Sequence, residues 1–206
     1  MTVMTMLDYE HKYESRGYKI IAGVDEAGRG PLAGPVVSAA VILKSYDFEN
    51  RIDDSKRLTP GQREKAAVEI REKAFVSLGI VNEKVIDKIN ILEATRLSMV
   101  KALSFLRPQP DFVLIDGNTP LALSLPSQTI IGGDAKSLSI ACASIIAKVT
   151  RDRIMSIYHT KWPEYGYIQH KGYGTKGHFE ILRARGPSPI QRHSFHCHGL
   201  ESYEQV

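Results

Sequence analysis

Cysteine is nearly missing from this sequence. Only Cys142 and Cys197 occur in 206 residues, too few for a disulfide framework, so a reducing cytoplasm is the expected location. No apolar run approaches the ~18 residues of a membrane span, so no membrane partner is expected. The N-terminal stretch MTVMTMLDYEHKYESRGYK has no apolar core and carries acids throughout. It reads as neither a secretory signal nor a transit peptide. Internal repeats and low-complexity tracts are absent too, which excludes solenoids and long flexible tails. Neither sign of charge dominates: 27 Lys and Arg stand against 23 Asp and Glu, for a net +4. That modest excess suits a polyanionic partner better than a membrane or a basic substrate.

What is present fits a globular chain, 43% hydrophobic and 24% charged, long enough for one sizeable core. A single domain over residues 1–206 is expected. After a short helical or irregular lead-in, residues 18–25 and 34–43 read as strands. In RIDDSKRLTPGQREKA, Thr59 is a fitting N-cap, Pro60 takes the first helical position and Gln62 completes a capping box. That helix should run to about Lys73 and be followed by a third strand, FVSLGIV. The stretch from Asn82 to Phe105 reads as helix broken near Asn90, with Glu93 placed to cap the second half. DFVLIDG and SQTIIGGD read as two more strands, and SLSIACASIIAKVTRDRIMSIYHT as one long helix. A short helix near His178–Arg185 and an irregular tail close the chain. Strands and helices that alternate after a β-β start fit a mixed sheet with helices packed on it.

Three strands finish in acids: VDE at 24–26, IDG at 115–117 and GGD at 132–134. In open α/β sheets functional groups gather just beyond strand ends. Aligned there, Asp25, Glu26, Asp116 and Asp134 converge, and four close carboxylates stay ionised only if cations neutralise them. Oxygen-only ligation suits Mg²⁺ or Mn²⁺, and a pair of such ions clamps the attacking and leaving oxygens of a phosphoryl displacement. The plainer reading of any one acid is a turn or cap residue. Three strand ends with the same feature weaken it. Adjacent strand residues face opposite ways, so Asp25 and Glu26 are expected to share a site only if their strand is already ending.

The glycine-rich continuation, Gly28-Arg29-Gly30, is no nucleotide loop. Gly23 to Gly30 reads G-x-x-x-x-G-R-G, without the Lys and Ser/Thr of a P-loop, and two acids inside it would repel phosphates. What remains is a loop whose backbone can approach a sugar or phosphate closely, or else a plain tight turn. On the long helix, Ser144, Lys148 and Asp152 recur every fourth residue, either as a solvated stripe or as a face toward the acids and a substrate phosphate. HKGYGTKGHFE holds Tyr173 between two glycines beside Lys171 and Lys176, where a ring could stack on a sugar or base. The tail HSFHCH fits no usual zinc spacing.

Taken together, VDEAGRGPLAGPVV, the DDSKRL segment, VLIDGN, the Gly-Asp pair at 133–134, SIIAKVTRDR and HKGYGT resemble bacterial ribonuclease HII, the type 2 ribonuclease H family. They come in that family's order over roughly residues 18–195. The resemblance implies a ribonuclease H-like α/β fold: a five-stranded mixed sheet flanked by helices, with a C-terminal helical extension over about 155–206. It implies cleavage of RNA in RNA–DNA hybrids and incision 5′ to single ribonucleotides in duplex DNA, with two Mg²⁺ or Mn²⁺ ions per site. The family's four acids fall on Asp25, Glu26, Asp116 and Asp134, with Asp152 a further acid that competes for the fourth place. Its ribose-sensing loop falls on Gly28, Arg29 and Gly30, and its junction-reading tyrosine on Tyr173. Lys56, Ser144 and Lys148 are implied substrate contacts. The chain is expected to be a monomer. The tail diverges after its Ser-Phe pair and shows no recognisable sliding-clamp peptide, so no clamp partner is expected. Type 3 relatives carry an extra N-terminal domain, for which the short lead-in leaves no room.

The rivals are a DNA-directed nuclease or strand transferase of the same fold, and a non-catalytic binder. The first would not need the Gly-Arg-Gly loop with Tyr173. The second would gain nothing from clustered acids.

Overall fold

A computed structural model describes residues 5–195. Five strands form one mixed sheet: β1 (Ile21–Ala27), β2 (Val36–Leu43), β3 (Ala74–Val81), β4 (Phe112–Asp116) and β5 (Ser127–Ile130), in the order β3-β2-β1-β4-β5. The first three pair antiparallel, and β4 and β5 run parallel to β1. The helices are α1 (Asp8–Glu14), α2 (Pro60–Lys73), α3 (Glu83–Phe105), α4 (Leu138–Lys161), α5 (Tyr167–His170) and α6 (Lys176–Arg185). Short 3-10 turns cover Ser55–Arg57, Gly133–Ala135 and Pro163–Tyr165. Among the described residues no helix is long and apolar enough to cross a membrane.

The period-two alternation of the strands sorts the core into two layers. Ala22, Val24, Ala40, Ile42, Val113 and Ile115 pack under α3, with Met99, Ala102 and Leu103. Ala39 and Val41 face the other way, against Cys142, Ile145 and Ile146 of α4 and Ala66 and Ile70 of α2. Gly23 lets α4 lie close on β1, since a Cβ there would stand 2.3 Å from the Ser139 backbone. The N-terminal segment is pinned to the start of α4. Glu10, nearly fully buried, accepts from the Ser137 hydroxyl at 2.7 Å and from the Ser139 amide at 3.0 Å.

The local signals produce the elements they predict. Thr59 and Gln62 form the reciprocal capping box, and α2 ends at Lys73. Asn90 breaks α3 with φ 63°, and its side chain accepts from the Leu92 and Glu93 amides. The Glu93 carboxylate pairs with Arg96 and does not complete a second box. The stretch before the chain's end is more than a tail. The Gly34 amide donates to the Ile190 carbonyl at 2.9 Å and the Arg192 amide to the Leu32 carbonyl at 2.9 Å. Asp87 of α3 accepts from the amides of His193 and Ser194. The histidine-rich stretch HSFHCH is described only as far as Phe195, and the clamp-peptide question falls on residues 196–206, outside the described residues.

Candidate active site

β1 does not end at Asp25, as the sequence suggests, but runs on to Ala27, opposite Val37 of β2. Asp25 and Glu26 therefore keep the strand's alternation. Asp25 lies on the α4 face, where Ser144 hydrogen-bonds it. Glu26 lies by Arg29 and the α3 residues Leu92, Thr95 and Met99. Asp116 ends β4, one residue past Ile115, which pairs with Val24, so it stands level with Asp25 on the neighbouring strand. Its Oδ1 accepts from the Gly133 amide at 2.7 Å. The approach is close: a Cβ at Gly133 would meet the end of the Ile140 side chain at 2.7 Å and Asp116 Oδ1 at 3.2 Å. Asp134, on the next turn of chain, is thereby drawn to the same place.

The charge of Asp116 acts on each of the other three acids. Burial, then the charges of Glu26 and Asp116, push the Asp25 carboxyl well above its usual range, against the opposing pull of the Glu26 amide and Ser144. Glu26 is raised by burial and by Asp116, with Arg29 acting against both. Asp134 is raised by burial, Asp116 and Asp54. Burial disfavours the Lys56 ammonium, yet Asp54, Asp134, Asp25 and Asp116 together hold it above its ordinary value. Lys56 Nζ lies 3.8 Å from Asp134 Oδ2. Asp152 holds Lys148 at 2.8 Å, two turns of α4 beyond Ser144.

The stripe on α4 divides in the same way. Ser144 is buried, and its hydroxyl lies 2.9 Å from Ser55 Oγ, within hydrogen-bond distance. It supports Asp25 and the DDSKRL turn from behind and does not reach out to a phosphate from the surface. Lys148 is half-buried, with Nζ 5.9 Å from the Tyr173 ring centre. Tyr173 itself is 43% exposed, a flat ring held open to solvent.

Sequence reading missed the two side chains that hold the Gly-Arg-Gly loop. Arg151 and Arg192 are fully buried guanidinium groups, 0% and 1% exposed. Arg192 donates to the carbonyls of Gly28 at 2.6 Å, Arg29 at 3.1 Å and Gly34 at 2.8 Å. Arg151 donates to the carbonyls of Pro35 at 3.0 Å, Ala33 at 3.1 Å and Lys171 at 3.0 Å. Burial pushes Arg151 down to about 10, and burial with the like charge of Arg151 pushes Arg192 down to about 9, so both stay cationic at neutral pH. One signal was available for Arg151. It continues the buried α4 stripe through Ala147 and Met155 at four-residue spacing. Asp54 was missed as well. Its side chain accepts from the Lys56 amide at 2.9 Å and so sets the turn that presents Lys56 to Asp134.

The same braces set the Tyr173 loop against the glycine loop. The Leu32 amide donates to the Gly172 carbonyl at 2.8 Å, and a Cβ at Gly172 would meet the Ala33 carbonyl at 2.6 Å. Gly28 has φ 102°, and a Cβ there would lie 2.2 Å from Arg151 Nε. Gly30 differs, because its nearest neighbour would be the Tyr173 ring edge at 3.8 Å. The fold does not need a glycine at position 30.

Among the described residues no three His, Cys, Asp or Glu side chains already form a metal cage. Each acid leans on a local donor instead: Asp25 on the Glu26 amide, Asp116 on Gly133, Glu26 on Arg29 and Asp134 on Lys56. The donor set still fits Mg²⁺ or Mn²⁺. It is all oxygen, burial and neighbouring negative charge raise Asp25, Glu26 and Asp134 in a way that a cation would relieve, and Mg²⁺ takes only one or two carboxylates beside water and phosphate. A shallow cleft of about 30 Å³ is lined by Glu26, Arg29, Asp116 and Asn118, while a larger apolar groove of about 760 Å³ along α3 contains none of the four acids.

Comparison with known proteins gives the family. The family profile of Ribonuclease HII matches residues 22–198. A Ribonuclease HII of Geobacter sulfurreducens is 51% identical over 189 residues, covering 91% of this chain and 87% of that protein. The crystal structure of ribonuclease H2 from Pyrococcus horikoshii superposes with a TM-score of 0.71 at 32% identity, over 86% of this chain and 94% of that one. RNase HII of Archaeoglobus fulgidus, solved in complex with PCNA, gives a TM-score of 0.72 at 27% identity, over 90% of this chain and all of that one. With the five-stranded mixed sheet, this likeness over nine-tenths of its length means that the chain belongs to the ribonuclease HII family of endoribonucleases.

Proposed function

We propose that this enzyme hydrolyses the RNA strand of RNA–DNA hybrids and incises 5′ to single ribonucleotides embedded in duplex DNA, leaving 5′-phosphate and 3′-hydroxyl ends. The observation that carries the reading is the stitching of three parts into one unit: the four neighbouring acids, the Gly28–Gly30 loop and the Tyr173 loop. Asp25, Glu26, Asp116 and Asp134 would hold Mg²⁺ or Mn²⁺. Two such ions supply an activated water and stabilise the leaving oxygen when bound.

The chain's own residues do the rest. Lys56, held at Asp134, and Lys148, beside Tyr173, offer cations to substrate phosphates. Ser144 orients Asp25, and Asp152 orients Lys148. The carbonyls of Gly28 and Arg29 are engaged by Arg192, so the amides of the loop are left to meet the sugar whose 2′-OH marks RNA. With no Cβ at Gly30, that sugar can lie against the backbone. Tyr173 stacks on the next, deoxyribose sugar and so recognises the 3′ junction of a lone ribonucleotide. One catalytic domain, acting as a monomer, contains every one of these parts.

Three duplexes decide the matter: all-DNA, DNA with one ribonucleotide, and a continuous hybrid, each with Mg²⁺ and with Mn²⁺. Cuts are expected in the second and third alone, at the 5′ side of the ribonucleotide in the second. Cleavage of all-DNA at a comparable rate would favour a DNA-directed nuclease of the same fold and end the proposal.

A further inference from the structure

The loop that carries Tyr173 hangs on two histidines. The rings of His170, at the end of α5, and His178, in the first turns of α6, stack with centroids 4.2 Å apart and planes 14° from parallel. Tyr167 packs edge-on against both, at 5.7 Å and 6.0 Å. Each ring also bonds the loop backbone. The Gly172 amide donates to His170 Nδ1 at 3.1 Å, and His178 Nδ1 lies 2.9 Å from the Tyr173 carbonyl. The Tyr173 amide donates to the His170 carbonyl at 2.8 Å. Tyr173 is therefore gripped on both sides of its Cα.

These partners dictate where the ring protons sit. His170 accepts an N–H at Nδ1, so its proton is on Nε2, which lies 2.8 Å from the Tyr165 carbonyl. His178 faces a carbonyl with Nδ1, so its proton is there, and its Nε2 is bare, buried and without a partner. We infer that His170 and His178 are positioning residues, a stacked pair of neutral imidazoles in opposite tautomers that sets the Tyr173 backbone and hence the place of its ring. The inference rests on the proposed role of Tyr173 and extends it.

A proton on either ring breaks the clasp. On His170 it would set N–H against N–H at Gly172. On His178 it would place a charge on an unpartnered atom in the interior. The titratable groups facing the pair are His159 of α4, Tyr165 of the preceding 3-10 turn and Tyr167 of α5, none of them an acid able to hold that charge. Burial keeps both rings below the ordinary histidine value, His178 at about 4, in agreement with two neutral rings.

Nitrogen-15 NMR of the imidazoles in the wild-type chain reads the tautomers directly. His170 should be protonated at Nε2 and His178 at Nδ1. The reverse pattern, or a charged ring at neutral pH, overturns the inference without reference to Tyr173. The second arm compares His178→Asn, whose amide stands where Nδ1 stood, with His178→Gln, whose amide reaches toward Nε2. His178→Asn should retain kcat/KM on a single-ribonucleotide duplex. His178→Gln should lose on the order of tenfold there and less on a long hybrid, as displacing one stacked ring predicts. Tyr173→Ala run alongside separates two failures. If it lowers both substrates equally, the reading of Tyr173 itself falls. If it discriminates between them while a folded His178→Gln does not, the histidines are core packing and the inference falls alone. Should His178→Gln not fold, the tautomer assignment decides.

Discussion

Gly28 and Gly30 stand two residues apart in one loop, yet alanine should do opposite things at each. At Gly28 the backbone φ of 102° lies where L side chains rarely go, and holding a non-glycine residue there costs about 1–3 kcal/mol. The new Cβ would also fall 2.2 Å from Arg151 Nε and 2.7 Å from the Pro35 carbonyl. One partner is a buried guanidinium with three carbonyl bonds and the other is backbone, so neither yields easily, and overpacking adds roughly 1–3 kcal/mol. Gly28→Ala should therefore lose about 2–6 kcal/mol, a large share of the ~5–15 kcal/mol that holds a domain folded. At Gly30 there is no positive φ and the nearest atom is the Tyr173 ring edge at 3.8 Å. Gly30→Ala should leave stability unchanged or raise it by about 0.4–1 kcal/mol through the unfolded chain. Its cost should appear only in cleavage, because the methyl group would occupy the space taken by the substrate sugar. Urea melts and single-ribonucleotide cleavage on both variants test this. A stable Gly30→Ala with wild-type cleavage would refute close approach of the sugar to this backbone.

Asp116→Asn should abolish cleavage while hybrid binding persists, and the metal-free protein should melt no lower than wild type, because a charge leaves a crowded site; near-normal activity would remove Asp116 from the site. Lys148→Ala should weaken duplex binding and reduce the slope of log affinity against log salt by about one unit, whereas an unchanged slope would mean that Lys148 touches no phosphate. Arg192→Met leaves three loop carbonyls without donors, so equilibrium unfolding should show a loss on the order of 3–6 kcal/mol at about 1–2 per carbonyl; a loss below about 1 kcal/mol would show that water replaces the guanidinium. Glu69 is buried, which alone would raise its carboxyl, but Lys73 and the amides of Asn50 and Glu49 hold it down at about 2. Its stabilisation is present above the ordinary glutamate value and is lost as pH falls toward about 2, so Glu69→Gln should melt lower at neutral pH and show a flatter acid limb; parallel acid limbs would contradict this.

The sequence and the structure agree where local chemistry decides and part where tertiary packing does. The Thr59–Gln62 box, the Asn90 break and the acid that ends β4, Asp116, are written in short stretches, and the chain obeys them. The end of β1 is not local. Nothing in GVDEAGRG announces that Val37 will pair with Ala27 and carry the strand two residues past Asp25. The consequence matters for the chemistry. Asp25 and Glu26 meet their common neighbour Asp116 from the two faces of the sheet edge and not from one side of a loop. Ser144, Lys148 and Asp152 share a helix face in sequence, but α4 passes from the sheet centre toward the Tyr173 loop as it runs, so the first is buried and the other two are not.

Arg151 marks the deeper limit. A charged side chain in a helical pattern reads as solvent-facing, because burying a cation is costly unless it is fully paired. Here the pairing comes from carbonyls at Ala33, Pro35 and Lys171, between 20 and 118 residues away along the chain. Arg192 finds its acceptors at still greater separation, up to 164 residues. Neither partner set can be read from spacing, since backbone carbonyls belong to every residue and carry no sequence signature. The two arginines thus supply what the motifs lack. The acids, the glycine loop and Tyr173 carry the proposed chemistry, and two buried cations hold the loop carbonyls so that these parts keep one geometry. A glycine-rich loop without such braces would pay ordering entropy at each encounter with substrate. With them, the surface proposed to sense a single 2′-OH is already formed before a duplex arrives.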